Sequence, residues 1–274
     1  MTIERIAAFA MNNTGGNPAG VMIADAMPPA ADMQRIAAEA GYPETAFLEP
    51  KGNGWRVRYF APAMEVPFCG HATIALGAAL GARKGAGRFD LTLNDAEISV
   101  EARKDASGWR AALTSPPTHN EAPDPALVAG VRAVFAISDD DLSDWPLHRI
   151  SAGADMIMIP LARRDRLAKL DYDLAAGAKL LNDHSIVGAY FVWAEAPDRL
   201  HVRMAFPTGG IFEDPATGAA AAAIAGWLRD TGRWVGKIEI IQGEDTGSPS
   251  LLLTETTAEK GAPVRVEGAT RRLE

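Results

Sequence analysis

Two segments of the chain are apolar almost all the way around a helical wheel. They cover residues 72–82 and 219–228 and consist largely of alanine, with glycine, leucine and isoleucine. A helix without a polar face must be buried on all sides, and neither segment reaches the ~20 residues that a bilayer span needs. The pattern therefore predicts two central helices, each enclosed by strands that approach closely because the helical side chains are small.

Strand-like runs precede both helices in the same order. Residues 55–60 and 200–206 alternate apolar and polar positions, as half-buried strands do. Farther upstream, residues 45–48 and 189–192 form a second pair of apolar runs. The upstream run, the alternating strand and the apolar helix thus occur twice in the same order, and the two copies are separated by a nearly constant number of residues. This predicts that one structural unit occurs twice in the chain.

The proline-rich stretch over residues 115–125 predicts the linker between these units. We expect an N-terminal lobe over residues 1–118 and a C-terminal lobe over 119–274, with a last strand near 264–267 that could pack on the N-terminal lobe. The predicted fold class is α+β, with two pseudo-symmetric lobes. Each lobe is expected to be a curved, mostly antiparallel sheet or barrel wrapped around its central apolar helix.

Composition and charge exclude several classes of partner. A formal net charge of -8 over 274 residues would repel nucleic acid and anionic membranes. The start of the chain does not have the pattern of a secretory signal. Cys69 is the only cysteine, so an intrachain disulfide is impossible and a reducing, cytoplasmic location is expected.

The starts of the two predicted helices are candidate anion sites. Both begin with small residues, and the free N–H groups and positive dipole end of a helix favour negative ligands. In a duplicated protein, the expected binding cleft lies between the lobes. Asp214 lies just before the second helix, and it could serve a ligand there or merely cap the helix ahead of Pro215.

Glu44 and His71 are the candidate acid–base residues. Glu44 lies at the mouth of an apolar strand, where partial desolvation would raise the pKa of its carboxyl and suit it to accept and return a proton. An exposed turn residue without a role would have the same local sequence, and the same holds for His71 at its helix end. Nucleotide-binding and serine-hydrolase motifs are absent, and the five histidines show no metal-ligand spacing. We therefore predict no metal and no cofactor.

Five ordered motifs resemble those of the PhzF-like proteins of phenazine biosynthesis, relatives of diaminopimelate epimerase in fold. The motifs extend over nearly the whole chain: Gly16-Asn17-Pro18-Ala19-Gly20-Val21, Glu44-Thr45-Ala46-Phe47, Arg58-Tyr59-Phe60-Ala61-Pro62, Cys69-Gly70-His71-Ala72-Thr73 and Glu213-Asp214-Pro215-Ala216-Thr217-Gly218.

The resemblance implies a cofactor-free isomerase, usually a homodimer, that moves a proton on a small cyclic or unsaturated carboxylate. It assigns proton transfer to Glu44, with His71 and Asp214 positioning the substrate and assisting. Substrate binding would involve Asn17, Gly70, Thr217, Gly218 and Ala219, where backbone groups of the last two and of Gly70 receive the carboxylate.

Two departures from the family pattern affect the substrate more than the chemistry. Ala219 stands where the family often has serine, and Ser248 where an arginine is common. A two-cysteine epimerase needs a thiol on each face of the substrate carbon, and the position of the second unit that matches Cys69 is Pro215, so this class of enzyme is excluded. Cys69 is expected to pack as a small buried hydrophobe. A dehydratase or racemase of an amino or hydroxy acid, and a silent metabolite-binding protein, remain alternatives.

Overall fold

The computed structural model describes residues 2–274. The chain forms two compact units: one holds the residues up to Thr114 together with Glu267–Glu274, and the other is Ser115–Val266. The elements before Thr114 are β1 (Glu4–Ala8), β2 (Asn17–Ile23), α1 (Ala30–Ala40), β3 (Glu44–Lys51), β4 (Gly54–Phe60), β5 (Glu65–Val66), α2 (Gly70–Lys84), β6 (Gly87–Thr92), β7 (Glu97–Asp105) and β8 (Gly108–Thr114).

The remaining elements are β9 (His119–Glu121), α3 (Pro125–Val134), β10 (His148–Ser151), β11 (Asp155–Leu161), α4 (Arg164–Ala168), α5 (Leu174–Asp183), β12 (Gly188–Ala196), β13 (Arg199–Ala205), β14 (Glu213–Asp214), α6 (Gly218–Asp230), β15 (Lys237–Gln242), β16 (Ser250–Glu255) and β17 (Arg265–Arg272). Single 3₁₀ turns lie at Asp139–Asp141, Pro207–Gly209 and Glu244–Thr246. No helix among residues 2–274 combines the length and apolar character needed to cross a bilayer.

The sheet of the first unit closes on itself around α2. Strand β1 is antiparallel to β2, β2 is parallel to β3, and β3 is antiparallel to β4. Strand β4 is parallel to β6, and β6, β7 and β8 follow as an antiparallel meander. Strand β17 pairs with both β8 and β1, which closes the ring. The central helix packs on β1, β2, β3, β7 and β8.

The second unit repeats the same succession of pairings. Strand β10 is antiparallel to β11, β11 is parallel to β12, and β12 is antiparallel to β13. Strand β13 is parallel to β15, which is antiparallel to β16. The helix α6 packs on β9, β10 and β16. The predicted duplication is therefore confirmed by five successive strand pairs that have the same parallel or antiparallel sense, and the α+β fold class is confirmed as well.

The predicted linker over residues 115–125 is wrong in one respect. It contains the strand β9, which pairs antiparallel with β10, and Pro125 is the first residue of α3, with Asp124 as its N-cap. Proline suits the first turn of a helix, where an N–H would have no partner. The proline-rich stretch therefore contains the start of a helix as well as the passage of the chain from the first unit to the second.

Glycines let the strands approach the central helices. A Cβ on Gly77 would lie 2.6 Å from a Val100 methyl, and one on Gly81 would lie 2.6 Å from the Trp109 ring. In α6, a Cβ on Gly226 would lie 2.5 Å from Thr118 Oγ1. Both predicted central helices are confirmed, and their small residues are required by these contacts.

We expect Gly77→Val to lower the free energy of unfolding by about 2 kcal/mol, because the added atoms overpack α2 against β7 and β8. The measurement is the urea unfolding midpoint, with Gly87→Val as the control, since a Cβ on Gly87 meets nothing within 4 Å. Equal effects of the two substitutions would contradict the close approach of strand and helix at Gly77.

Candidate active site

Glu44 is the first residue of β3, as predicted, and the start of β2 lies beside it. Glu44 pairs with Ala19 across the parallel strands, and its side chain is 22% exposed. Gly16, with a φ of +85°, turns the chain into β2, and Asn17 behind it is fully buried. The first sequence motif is therefore the turn from β1 into β2, and its Gly20 lets β2 approach β3, since a Cβ there would lie 2.7 Å from Thr45 Oγ1.

His71 lies in the first turn of α2 and reaches Glu44. Its Nε2 is 3.2 Å from Glu44 Oε2, and the ring also bonds the backbone of Pro18. A proline backbone offers only its carbonyl, so a ring N–H of His71 donates to it. The structure thus brings together the two predicted acid–base residues from β3 and α2.

Burial keeps the His71 ring neutral at ordinary pH. The side chain is 8% exposed, and desolvation lowers the pKa of His71 from 6.5 to about 4, although the bond to Pro18 opposes this shift. With its single N–H donated to the Pro18 carbonyl, the neutral ring keeps a lone pair on its other nitrogen. The contact with Glu44 is therefore one of a carboxyl group with a neutral imidazole.

Cys69 is buried as predicted, but it also contacts His71. Its Sγ lies 3.4 Å from His71 Nδ1 and 3.9 Å from Nε2. The Thr73 hydroxyl donates to the Cys69 carbonyl over 2.7 Å and accepts from the Tyr59 hydroxyl. We call the group of Glu44, Cys69 and His71 the first cluster. One ligand-type atom from each residue lies within 4.8 Å of the others.

A second cluster, Asp214, Thr217 and Gln242, lies at the start of α6. The Thr217 hydroxyl donates to Asp214 Oδ2 over 2.5 Å and accepts from Gln242 Nε2 over 3.1 Å. The fully buried Gln242 side chain also donates to the Asp214 carbonyl and accepts from the Thr217 backbone N–H. Thr217 is the N-cap of α6, so the interpretation of Asp214 as the helix cap is wrong.

Tyr190 and Gln242 were missed by reasoning from the sequence. Tyr190 is fully buried on β12; burial, and then the nearby charge of Asp214, raise the pKa of its hydroxyl well above 10. The phenol therefore stays a neutral hydrogen-bond donor. Nothing local in the sequence indicated the bonds of Gln242 to Thr217 and Asp214.

The helix caps correct the residue matching between the units. Cys69 is the N-cap of α2 and Thr217 is the N-cap of α6, so the counterpart of Cys69 is Thr217 and not Pro215. The register of the flanking strands likewise matches Glu44 with Gly188. The second cysteine of a two-thiol epimerase is still missing, since threonine stands there.

The proposed carboxylate-binding residues occupy the helix starts. Gly70 and Gly218 are the first residues of α2 and α6, and Ala219 follows Gly218 on the helix. A Cβ on Gly70 would come no closer than 4.0 Å to its nearest neighbour, the Phe68 ring. Space for a ligand therefore remains at the start of α2. Ser248 lies in a turn and donates its N–H to the Gly243 carbonyl.

Comparisons with known proteins agree on one family. The family model described as phenazine biosynthesis-like protein matches residues 6–272. The trans-2,3-dihydro-3-hydroxyanthranilate isomerase of Pseudomonas fluorescens is 34% identical to the chain, covering 96% of it and 92% of the relative. An uncharacterized isomerase of Deinococcus radiodurans is also 34% identical, covering 91% and 85%.

Solved structures show the same fold. A PhzF family phenazine biosynthesis protein from Bacillus anthracis superposes with a TM-score of 0.88 at 19% identity, covering 99% of this chain and 96% of that one. A probable proline racemase from Agrobacterium radiobacter K84 superposes with a TM-score of 0.66 at 12% identity, covering 99% and 90%. At these identities the likeness concerns the fold alone.

The buried, neutral His71 predicts a pH dependence of stability. The unfolded ring takes up a proton as the pH falls below 6.5, whereas the folded ring resists protonation down to about 4. The free energy of unfolding should therefore decrease as the pH falls through this window. Between about pH 7 and pH 5 we expect the wild type to lose about 2 kcal/mol more than His71→Asn.

The measurement is urea unfolding at both pH values, with His119→Asn as the control because the His119 side chain is 65% exposed. The same pH dependence in His71→Asn and in the wild type would contradict a buried, neutral His71.

Gln242 predicts a second stability effect. Gln242→Met keeps the approximate shape but leaves the Asp214 carbonyl and the Thr217 N–H without their side-chain partner, and we expect a loss of about 2 kcal/mol in the free energy of unfolding. Gln34→Met is the matched control, since Gln34 donates to two backbone carbonyls at a partly exposed position. If the unfolding midpoints of Gln242→Met and Gln34→Met fell by the same small amount, the second cluster would not be important for stability.

Proposed function

The chain belongs to the phenazine biosynthesis-like family, whose relatives are named isomerases, and from that premise we propose that it moves a proton on a small unsaturated carboxylate, with Glu44 as the acid–base group. One observation carries this proposal, which is the contact of Glu44 Oε2 with His71 Nε2 over 3.2 Å beside the start of a buried helix. A positioned carboxyl next to a neutral imidazole can take up and return a proton.

The proposed reaction is a shift of one proton between two carbons. Glu44 takes a proton from a carbon next to a double bond, and the electron pair of that C–H bond moves through the conjugated system. Glu44 then returns the proton to another carbon, so the product has the same composition as the substrate. His71 orients the Glu44 carboxyl, and no redox partner is needed.

The substrate class follows from the groups around the helix start. The first N–H groups of α2 favour a carboxylate, and Gly70 would allow its close approach to the backbone. Met64 and Phe68, on the segment that leads to α2, are 62% and 38% exposed and suit the apolar part of a ring. Because Asn17 is fully buried, in this proposal it holds the start of β2 beside Glu44 rather than contacting the substrate.

The second cluster, taken by itself, offers a carboxylate that could recognise polar groups of a ligand. Asp214, oriented by the Thr217 hydroxyl, can accept hydrogen bonds from an amino or hydroxyl group. The Pseudomonas fluorescens relative is named for a dihydro-hydroxyanthranilate, which carries a carboxylate, an amino group and a hydroxyl on one unsaturated ring. We therefore propose this molecule, or a similar cyclic amino acid, as the first substrate to test.

The homodimer stays a prediction.

Glu44→Gln should abolish the entry of solvent deuterium into the substrate. The amide is nearly isosteric with the carboxyl but cannot shuttle the proton, so we expect exchange to fall by at least about 100-fold. Wild type and variant would be incubated in D₂O with trans-2,3-dihydro-3-hydroxyanthranilate and with related cyclic carboxylates, and the ligands would be analysed by mass spectrometry.

Glu39→Gln is the control, since Glu39 makes an exposed ion pair with Arg35 on α1, and it should exchange like the wild type. Exchange that continues in Glu44→Gln would assign the proton transfer to another group. Binding of a ligand without exchange in the wild type would favour a silent binding protein.

A further inference from the structure

In the first cluster, one oxygen, one nitrogen and one sulfur atom that could each bind a metal lie around a common point. Carboxylate, imidazole and thiolate are the three ligand types that proteins use for zinc, and three protein ligands leave a fourth position open. We propose that Glu44, Cys69 and His71 bind Zn²⁺ as a three-ligand site with one open position.

The distances in the first cluster suit a tetrahedral ion. Ideal zinc bond lengths place an oxygen and a nitrogen ligand about 3.3 Å apart, and a sulfur and a nitrogen ligand about 3.6 Å apart. Glu44 Oε2 lies 3.2 Å from His71 Nε2, and Cys69 Sγ lies 3.9 Å from the same nitrogen. The sulfur is nearer to His71 Nδ1, at 3.4 Å, so the Cys69 side chain would rotate toward Nε2 when the ion binds.

The state of His71 favours metal binding. Only a neutral imidazole can bind a metal, and the His71 side chain is 8% exposed, a burial that disfavours the charged ring. Ligating histidines usually donate their other N–H to a carboxylate or a backbone carbonyl. The Pro18 carbonyl accepts such a bond from this ring and would fix its orientation around the ion.

Charge balance supports the same assignment. A buried carboxylate and thiolate carry two negative charges, which the two positive charges of the zinc ion would neutralise, so that no net charge would be buried. Cys69 lies at the N-cap of α2, where the positive end of the helix dipole also favours a thiolate. Its backbone is held by the Thr73 hydroxyl, which limits the reorganisation that binding requires.

The test is a calorimetric titration of Zn²⁺ into the full chain after chelator treatment, with Mg²⁺ as the control ion. We expect one zinc ion per chain in the wild type and affinities at least about tenfold weaker in Cys69→Ser and in His71→Asn. His201→Asn is the matched control, because His201 also contacts two carboxylates, those of Glu195 and Glu244, but no thiol. This variant should bind zinc like the wild type.

A second measurement reports on the thiol itself. Cys69 is the only cysteine, so the rate of reaction with a thiol reagent reports on this residue alone. The rate is measured for the folded chain and, as a control, for the unfolded chain. Zinc should slow alkylation of the folded chain, and Co²⁺ in place of zinc should give thiolate-to-metal charge-transfer absorption. Unchanged zinc affinity in Cys69→Ser, or no zinc binding to the wild type, would overturn the site.

Inhibition is a consequence that rests on the proposed function. If Glu44 moves the substrate proton, bound zinc should suppress deuterium exchange, and a chelator should restore it. Zinc binding without inhibition would overturn the role of Glu44 and leave the metal site standing. Inhibition that persists unchanged in Cys69→Ser would overturn the metal site and leave the role of Glu44 standing.

Discussion

The burial of a helix without a polar face is the constraint on which the structure of each unit depends. Such a helix cannot face water, so strands must enclose it, and the glycines of α2 set how closely they do so. A helix fixed in this way also fixes its own first turn. Residues at that turn, such as Cys69, Gly70 and His71, are therefore held by the core rather than by a loop, which gives the candidate site its geometry.

Duplication supplied the same framework twice, while the chemistry at the two helix starts diverged. Both units keep an arginine on the strand before the helix, bonded to a glutamate on the following short strand, as Arg58–Glu65 and Arg203–Glu213. In contrast, the counterpart of Glu44 is Gly188. A buried polar group without partners is costly, so the members of each cluster depend on one another.

Much of the fold could be predicted because its signals are local. Helices without a polar face and alternating strands are visible in any short window, and their repetition indicated the duplication. The match of Cys69 to Pro215 failed because the connection before α6 is longer and includes the 3₁₀ turn Pro207–Gly209. The contacts of Glu44 with His71, and of Gln242 with Thr217, depend on strand register and helix placement, which no local pattern encodes.

The carboxyl groups near the helix starts differ in what lies beside them. Glu65 is bonded to the Arg58 guanidinium, which lowers the pKa of this carboxyl and holds it as a structural anion. Glu44 lies beside a ring that burial keeps neutral. A group that must take up a proton and then return it is poorly served by a permanent cation, because the cation would oppose the protonated state. The neutral His71 has given its one N–H to the Pro18 carbonyl, so its other nitrogen can accept a hydrogen bond from Glu44 when the carboxyl holds the proton. This contrast favours Glu44, rather than its neighbours, as the proton carrier.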